Sequence, residues 1–346
     1  MMKEKKKWID CLRVLATFCV IVLHVSAPLL DQYGDISNFD WWVGNIYDGS
    51  TRFSVPLFLL ITGALILPQT YSSMTMFFKK RFSRVVLPFA FWSFIYIMQS
   101  LLALLRNSEI TDTNGVIHFF IMQIKEGASF HLWYIYLILG LYLFFPIINK
   151  WIKNSNRNEI LYFIVLWSII TISNLSTLNQ MIPNIELRYF SGYIGVPIIG
   201  YYLITTTFNR KKAIYTSLTL ITIGTLMTLI GTFFVTKQNN KFIHSFYEYL
   251  TPNVILTAVG VFMLFKHYTP PLNKKITSAI FFFSKYSYGI YLVHILVRWY
   301  LFKIGISYAF VAPIVGIPIT SILCFVISAF IVWGINKVPY GKYISG

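Results

Sequence analysis

Acidic side chains are scarce in this chain: 12 Asp and Glu stand against 29 Lys and Arg in 346 residues, for a formal net charge of +17. Charge of either sign is scarce too, at 12% of positions, while 56% are hydrophobic. A chain with so little polar surface cannot clothe a large soluble domain, and it falls among polytopic membrane proteins. Cysteine is nearly missing. Cys11, Cys19 and Cys324 lie within or beside apolar runs, none spaced as a pair with His or another Cys. A disulfide framework or a zinc site therefore has no support, and no metal is expected. Also lacking are internal repeats, a Gly-rich phosphate loop after a strand and a low-complexity linker.

What is abundant is apolar length. Runs approaching the ~20 residues that cross a bilayer recur at 10–30, 52–68, 85–105, 131–148, 159–175, 189–208, 213–235, 249–265, 279–301 and 308–333, the second and fourth being short. The pattern predicts an all-α integral membrane protein of about ten transmembrane helices, a single membrane domain over 1–346 with no separate soluble domain. The first run is too long, and too soon followed by a second, for a cleaved signal peptide, so it is expected to be retained.

The excess positive charge suggests nucleic-acid binding only until its distribution is considered. Basic residues cluster in alternate connections: MMKEKKK at the start, KKRFSR at 79–84, KWIKNSNR at 150–157, RKK at 210–212 and KHYTPPLNKK at 266–275. The intervening connections carry Asp31, Asp35, Asp40, Asp48, Glu109, Asp112, Glu126, Glu186 and Glu248. By the positive-inside rule the basic loops face the cytosol, as do both termini, and no nucleic-acid partner is expected. The segment 106–130 holds a semi-apolar patch, VIHFFIMQI, suited to the membrane interface. Most of the aromatic residues near span ends read as interfacial belt, with sugar stacking on Trp41, Trp42 or Trp133 as the minority reading.

The polar residues inside the spans carry the functional information. Asp10 and Arg13, at i and i+3, are placed to pair at one end of the first span. His24 follows Arg13 by eleven residues, an advance of three turns plus about 20° and about 16 Å along the same helix face. An ionisable side chain at such depth is costly and is a functional candidate; the alternative is an imidazole that bonds a neighbouring helix. In the ninth span, Ser287, Tyr291, His294 and Arg298 fall within about 60° on a helical wheel, a second polar stripe. Two histidines at matching depth suggest a shared polar cavity. Lys79, Lys80, Arg81 and Arg84 precede the third span, where the planar fork of arginine suits a phosphate-bearing ligand, although basic loops are also what topology alone requires.

The stretch Asp10-x-x-Arg13 with His24, TRFSVPLFLLITG at 51–63, HLWYIYLILGLYLFFPII at 131–148 and SYGIYLVH at 287–294 resembles the acyltransferase-3 family of membrane acyltransferases. The resemblance is to the single-domain type that O-acetylates surface polysaccharides, and it covers essentially the whole chain. It implies a ten-helix domain moving an acyl group, usually acetyl, from acyl-coenzyme A to a carbohydrate hydroxyl, in a multi-pass protein of a bacterial cytoplasmic membrane. The family's essential His corresponds to His24, its paired Arg to Arg13 with Asp10 alongside, and its basic motif to Arg81 and Arg84. Arg52, His131, Trp133 and His294 also stand in its conserved segments. Two departures are Ile295, where relatives often carry Pro, and an end at Gly346 without the extracytoplasmic hydrolase-like domain of some members.

On this reading the coenzyme A phosphates meet Arg13, Arg81 and Arg84, and the thioester approaches His24. A neutral imidazole there acts either as general base on the acceptor hydroxyl or as a nucleophile carrying the acetyl group. Tyr291, His294 and Arg52 are candidates for stabilising the oxyanion, and Arg52 alternatively for positioning the acceptor. The rival readings are an exporter of polysaccharide or lipid-linked sugar without acyl transfer, and a ligand-binding receptor or partner subunit. Only the enzyme requires acyl-coenzyme A.

Overall fold

A computed structural model describes residues 7–71, 73–109, 112–173, 192–268 and 271–346. Within them the chain forms α1 (Lys7–Leu30), α2 (Asn38–Gly49), α3 (Ser54–Ile66), α4 (Met74–Arg106), α5 (Thr113–Glu126), α6 (Trp133–Asn154), α7 (Arg157–Ser173), α8 (Gly195–Thr205), α9 (Arg210–Asn239), α10 (Pro252–His267), α11 (Lys274–Lys303) and α12 (Pro313–Lys337). Short 3-10 turns stand at Phe130–Leu132 and Gly341–Tyr343. Among the described residues there is no strand.

Among the described residues, seven segments are long and apolar enough to cross a membrane: 7–30, 38–66, 74–106, 130–154, 210–239, 274–303 and 313–337. The expected run 52–68 is the second half of a longer segment, because α2 turns into α3 through residues 50–53. The runs expected at 189–208 and 249–265 are carried by the shorter α8 and α10. Glu186, the end of the run 159–175 and the start of the run 189–208 lie outside the described residues.

The basic clusters at 79–84, 150–153 and 210–212 are not loops. They lie inside α4 beyond its first turn, in the last turn of α6 and in the first turn of α9. Lys and Arg are good helix formers, and their long stems keep the charge at the surface while the helix continues beneath. Ser73, Asp112 and Asn209 start α4, α5 and α9 by accepting the N–H of Met76, Gly115 and Lys212 at 3.1, 3.0 and 3.2 Å.

α9 has its polarity reversed relative to a helix of a water-soluble protein. Its buried residues are Ala213, Ser217, Gly224, Thr228, Thr232 and Thr236. Leu218, Ile223, Leu226, Met227, Ile230 and Phe234 are exposed. Small and hydroxylated side chains face neighbours and large apolar ones face outward, the arrangement expected where the surroundings are lipid. α5 exposes Ile117 and Ile121.

The chain falls into two compact units. The first comprises the described parts of Met1–Thr70, Ile147–Lys285 and Leu301–Leu323; the second comprises those of Tyr71–Pro146, Tyr286–Tyr300 and Cys324–Gly346. In the first, α3 packs on α8 and α9 on α10, with α1 against α2, α3 and α10. Glycine makes the closest of these approaches. Gly63 of α3 lies on the Pro197 backbone, and Gly200 of α8 lies reciprocally on the Leu60 backbone. Gly224 of α9 abuts Asn253 and Thr257, and Gly260 of α10 abuts Ser217 and Ile221. An aromatic cluster of Trp41 and Tyr247 with Leu30, Tyr33, Trp42, Phe233 and Phe242 closes the end of α1. In the second unit, α4 packs on α5 and on the 3-10 turn at Gly341–Tyr343.

Candidate active site

α1 positions three of the expected residues by its own periodicity. Asp10 is buried, and its Oδ1 lies 3.8 Å from Arg13 Nη1. Ser284, inside α11, donates to the same Oδ1 at 2.6 Å. The carboxylate is thus held from its own helix and from a residue 274 positions away. Arg13 keeps 37% of its side chain exposed, so the guanidinium stays within reach of solvent or ligand while Asp10 orients it. Thr17 donates to the Arg13 carbonyl at 2.7 Å on the same face. Ser284→Ala removes a bond to a buried charged acceptor and is expected to cost about 1.5–3 kcal/mol. Thermal unfolding of the detergent-purified protein measures it, and an unchanged midpoint would show that the bond contributes nothing.

His24 sits half-buried on α1, three turns beyond Arg13. Four residues further is Pro28, inside the last turns of the helix. Proline has no N–H, so the donor that the His24 carbonyl meets in a regular helix is missing at that position. The end of α1 is braced instead by side chains. Ser26 donates to Val22 O at 2.8 Å, and Gln32 Nε2 donates to Pro28 O at 3.1 Å and to the Tyr308 hydroxyl at 2.7 Å. The His-x3-Pro spacing is present in the sequence and marks an irregular helix end beside the candidate imidazole.

Arg52 stands at the turn between α2 and α3, with Nε 2.5 Å from Asp48 Oδ1 in a pair where Asp48 is fully buried. Its guanidinium lies over the Tyr247 ring, 4.4 Å from the centroid. Burial holds the Tyr247 phenol well above its ordinary range. It therefore remains a donor, to Asn45 Oδ1 at 2.5 Å.

In the second unit, His131, Tyr291 and His294 come together. The Tyr291 hydroxyl donates to the His131 carbonyl, and the His131 and His294 rings meet edge to face at 5.2 Å. His294 Nδ1 lies 2.6 Å from the Tyr291 carbonyl, which only accepts, so Nδ1 carries the proton. His131 Nε2 faces the Leu292 carbonyl at 3.4 Å and Nδ1 faces Ser129 Oγ at 3.0 Å, so Nε2 is the donor and Nδ1 accepts from the hydroxyl. Tyr96 of α4 donates to Leu292 O at 2.8 Å and accepts from the Leu296 N–H at 3.2 Å. The tyrosine hydroxyl thus bonds two backbone groups one turn apart on α11, beside the histidines. Trp133, half-buried, opens α6 against Tyr134. Arg81 is half-buried, with Nη2 3.4 Å from the Tyr71 hydroxyl and Cζ 6.0 Å from the Phe77 ring centre, whereas Arg84 is exposed.

His24 belongs to the first unit and His294 to the second, so each is described in its own surroundings. Sequence reasoning passed over Asp48 as a partner, although it stands four residues before Arg52, a spacing that pairs charges on a helix. Ser284, Tyr96 and Tyr247 carry no such local signal.

A family model described as an acyltransferase domain matches residues 6–333 of the chain. The chain belongs to the acyltransferase-3 family. Comparison with curated proteins and with solved structures gives no match. Membership supports an acyltransferase, and with the seven long apolar segments it identifies a multi-pass membrane protein. For this family the buried Asp10, its tie to Arg13 and the histidine three turns along α1 form the candidate catalytic helix.

Proposed function

We propose that the protein is a membrane O-acyltransferase that moves an acetyl group from cytosolic acetyl-coenzyme A to a hydroxyl of a cell-surface or cell-wall polysaccharide, or of its precursor. The observation that carries the reading is the family match over 6–333, which includes a helix whose Asp10–Arg13 pair precedes His24 on one face. Within the first unit Arg13, and within the second Arg81 and Arg84, are each candidates for holding an anionic group of the donor, since a guanidinium fork bonds two phosphate oxygens at once. Arg81 is the better braced of the latter two, by Tyr71 and Phe77.

His24 handles the proton or the acyl group. As base it accepts the hydroxyl proton while the acceptor oxygen bonds the acetyl carbon and the C–S bond breaks, the thiolate of coenzyme A leaving and regaining a proton. As nucleophile it takes the acetyl group first and passes it to the hydroxyl in a second step. Either way one thioester and one hydroxyl are consumed, and one ester and one thiol are formed. The protein is assigned to the bacterial cytoplasmic membrane.

The test supplies membranes containing the protein with acetyl-labelled acetyl-coenzyme A and the host's surface glycans, and follows base-labile label in the glycan fraction. Label above that of membranes lacking the protein is expected. If no label transfers and no thioester is consumed, with other acyl donors also tried, the chain is better read as an exporter of the glycan.

A further inference from the structure

The polar cluster around Asp48 and Arg52 holds more than an ion pair requires. Asp48 is fully buried and uses Oδ1 for Arg52 Nε. Its other oxygen, Oδ2, is buried with no hydrogen-bond partner. Native structures seldom leave a buried acceptor unfilled, and one retained beside a charged partner calls for a reason. Arg52 is the member that reaches outward, with 12% of its side chain exposed.

The platform beneath Arg52 is fixed. Tyr247 lies under the guanidinium, and Tyr249 contributes a hydroxyl to it. The Tyr247 hydroxyl is held by Asn45, whose Nδ2 donates to Leu229 O at 3.1 Å. Asn253 Nδ2 ties the same loop by donating to Thr228 Oγ1 at 2.8 Å and to Phe246 O at 2.7 Å. Gly49, next to Asp48, has no room for a Cβ, which would meet Leu229 at 2.6 Å and the Tyr247 hydroxyl at 3.1 Å. This much bracing limits the orientations open to one arginine, at the junction of α2 and α3.

Charge decides what such a site takes. The pair is neutral as a unit, so a phosphate or carboxylate approaching Arg52 also meets the Asp48 carboxylate and gains little. A neutral hydroxyl meets no such cost, since its oxygen accepts from the outward-reaching Arg52 N–H groups, and the hydroxyls of a sugar have that chemistry. We propose that Asp48 and Arg52, set on the Tyr247 platform, form a subsite for a neutral, hydroxyl-bearing carbohydrate, the acceptor rather than the donor. The inference rests on the acyl-transfer reading above and adds the acceptor's binding point, with Arg52 the contact and Asp48 its positioning residue.

The test is steady-state acetyl transfer by the full-length protein in lipid nanodiscs, with neutral oligosaccharides released from the host's surface glycan as acceptor. Wild type is compared with Arg52→Lys, which keeps the charge but loses the fork, and with Asp48→Asn. Both variants are expected to raise the oligosaccharide KM about ten-fold while the KM for acetyl-coenzyme A stays at its wild-type value. An unchanged oligosaccharide KM in Arg52→Lys, or an equal rise for acetyl-coenzyme A, overturns the subsite. A fall in kcat with both KM values unchanged does so too, placing Arg52 at the reacting centre instead. If Asp48→Asn is not monodisperse in gel filtration, Arg52→Lys decides alone. A wild type that transfers nothing defeats the acyl-transfer reading itself, a result distinct from an active wild type with unaltered variants.

Discussion

On the proposed acyl-transfer reading, His24→Ala is expected to lower acetyl transfer by about 1,000-fold, the largest effect on activity expected of any single substitution here. The argument begins with cost. A histidine within a 24-residue apolar helix is retained against its transfer penalty, on the face that carries the oriented Asp10–Arg13 pair. An acceptor hydroxyl is a poor nucleophile until a base takes its proton, and a thioester gives no help with that proton. Removing the imidazole therefore leaves binding groups in place without a proton acceptor or acyl carrier. Alanine is the best helix former, so α1 itself keeps its geometry. The rate of base-labile label entering the glycan fraction measures the effect, with equal amounts of wild-type and variant protein confirmed in the membrane. Transfer surviving within about ten-fold of wild type would remove His24 from the chemistry and leave an acyltransferase working by another group.

Gly63→Ala has the largest expected effect on folding. A Cβ at Gly63 would stand inside the van der Waals radius of the Pro197 carbonyl oxygen and close on the carbonyl carbon and Cα behind it. All three atoms are backbone, so no rotamer change relieves the clash. α8 cannot simply retreat. Gly195 at its start is already pressed on the Trp167 ring, and Gly200, one turn beyond Val196, sits on the Leu60 backbone of α3. The two helices must part along their length, giving up packing that supplies much of the association energy of helices in lipid. The expected loss is about 3 kcal/mol or more. Thermal unfolding and gel-filtration profile of the detergent-purified protein report it. Gly140→Ala on α6 is the control, because nothing lies within 4 Å of a Cβ there. That variant should match wild type or gain slightly from helix propensity. Equal melting behaviour of the two alanine variants would show that the α3–α8 contact is not as close as described.

The basic clusters illustrate where reading the sequence by pattern succeeds and where it stops. Runs of Lys and Arg flanking apolar stretches were visible as charge, and they do border apolar segments. Their extent as loops was misjudged at 79–84, 150–153 and 210–212, because hydropathy ends where the charge begins whereas the helix does not. Backbone hydrogen bonding continues through good helix formers until a cap intervenes, and Ser73 and Asn209 are those caps for α4 and α9. The same limit applied to 52–68, where a polar turn at 50–53 joins α2 to α3 rather than ending a segment.

By itself the sequence determined the membrane class, the family, the adjacency of Asp10 to Arg13 and the position of His24 three turns along one face. The class follows from composition, the two placements on α1 from a period of 3.6 residues, and the family from the resemblance of its motifs, all of them properties read along the chain. Only the tertiary structure decided that Ser284 holds Asp10, that Tyr247 lies beneath Arg52, and that Tyr96 bonds the backbone of α11. Those contacts join residues about two hundred or more positions apart. Small residues such as Gly63, Gly200, Gly224 and Gly260 likewise let particular helices of the first unit approach closely. Which helices those are is settled by packing, a property of helix surfaces that no single segment of sequence contains.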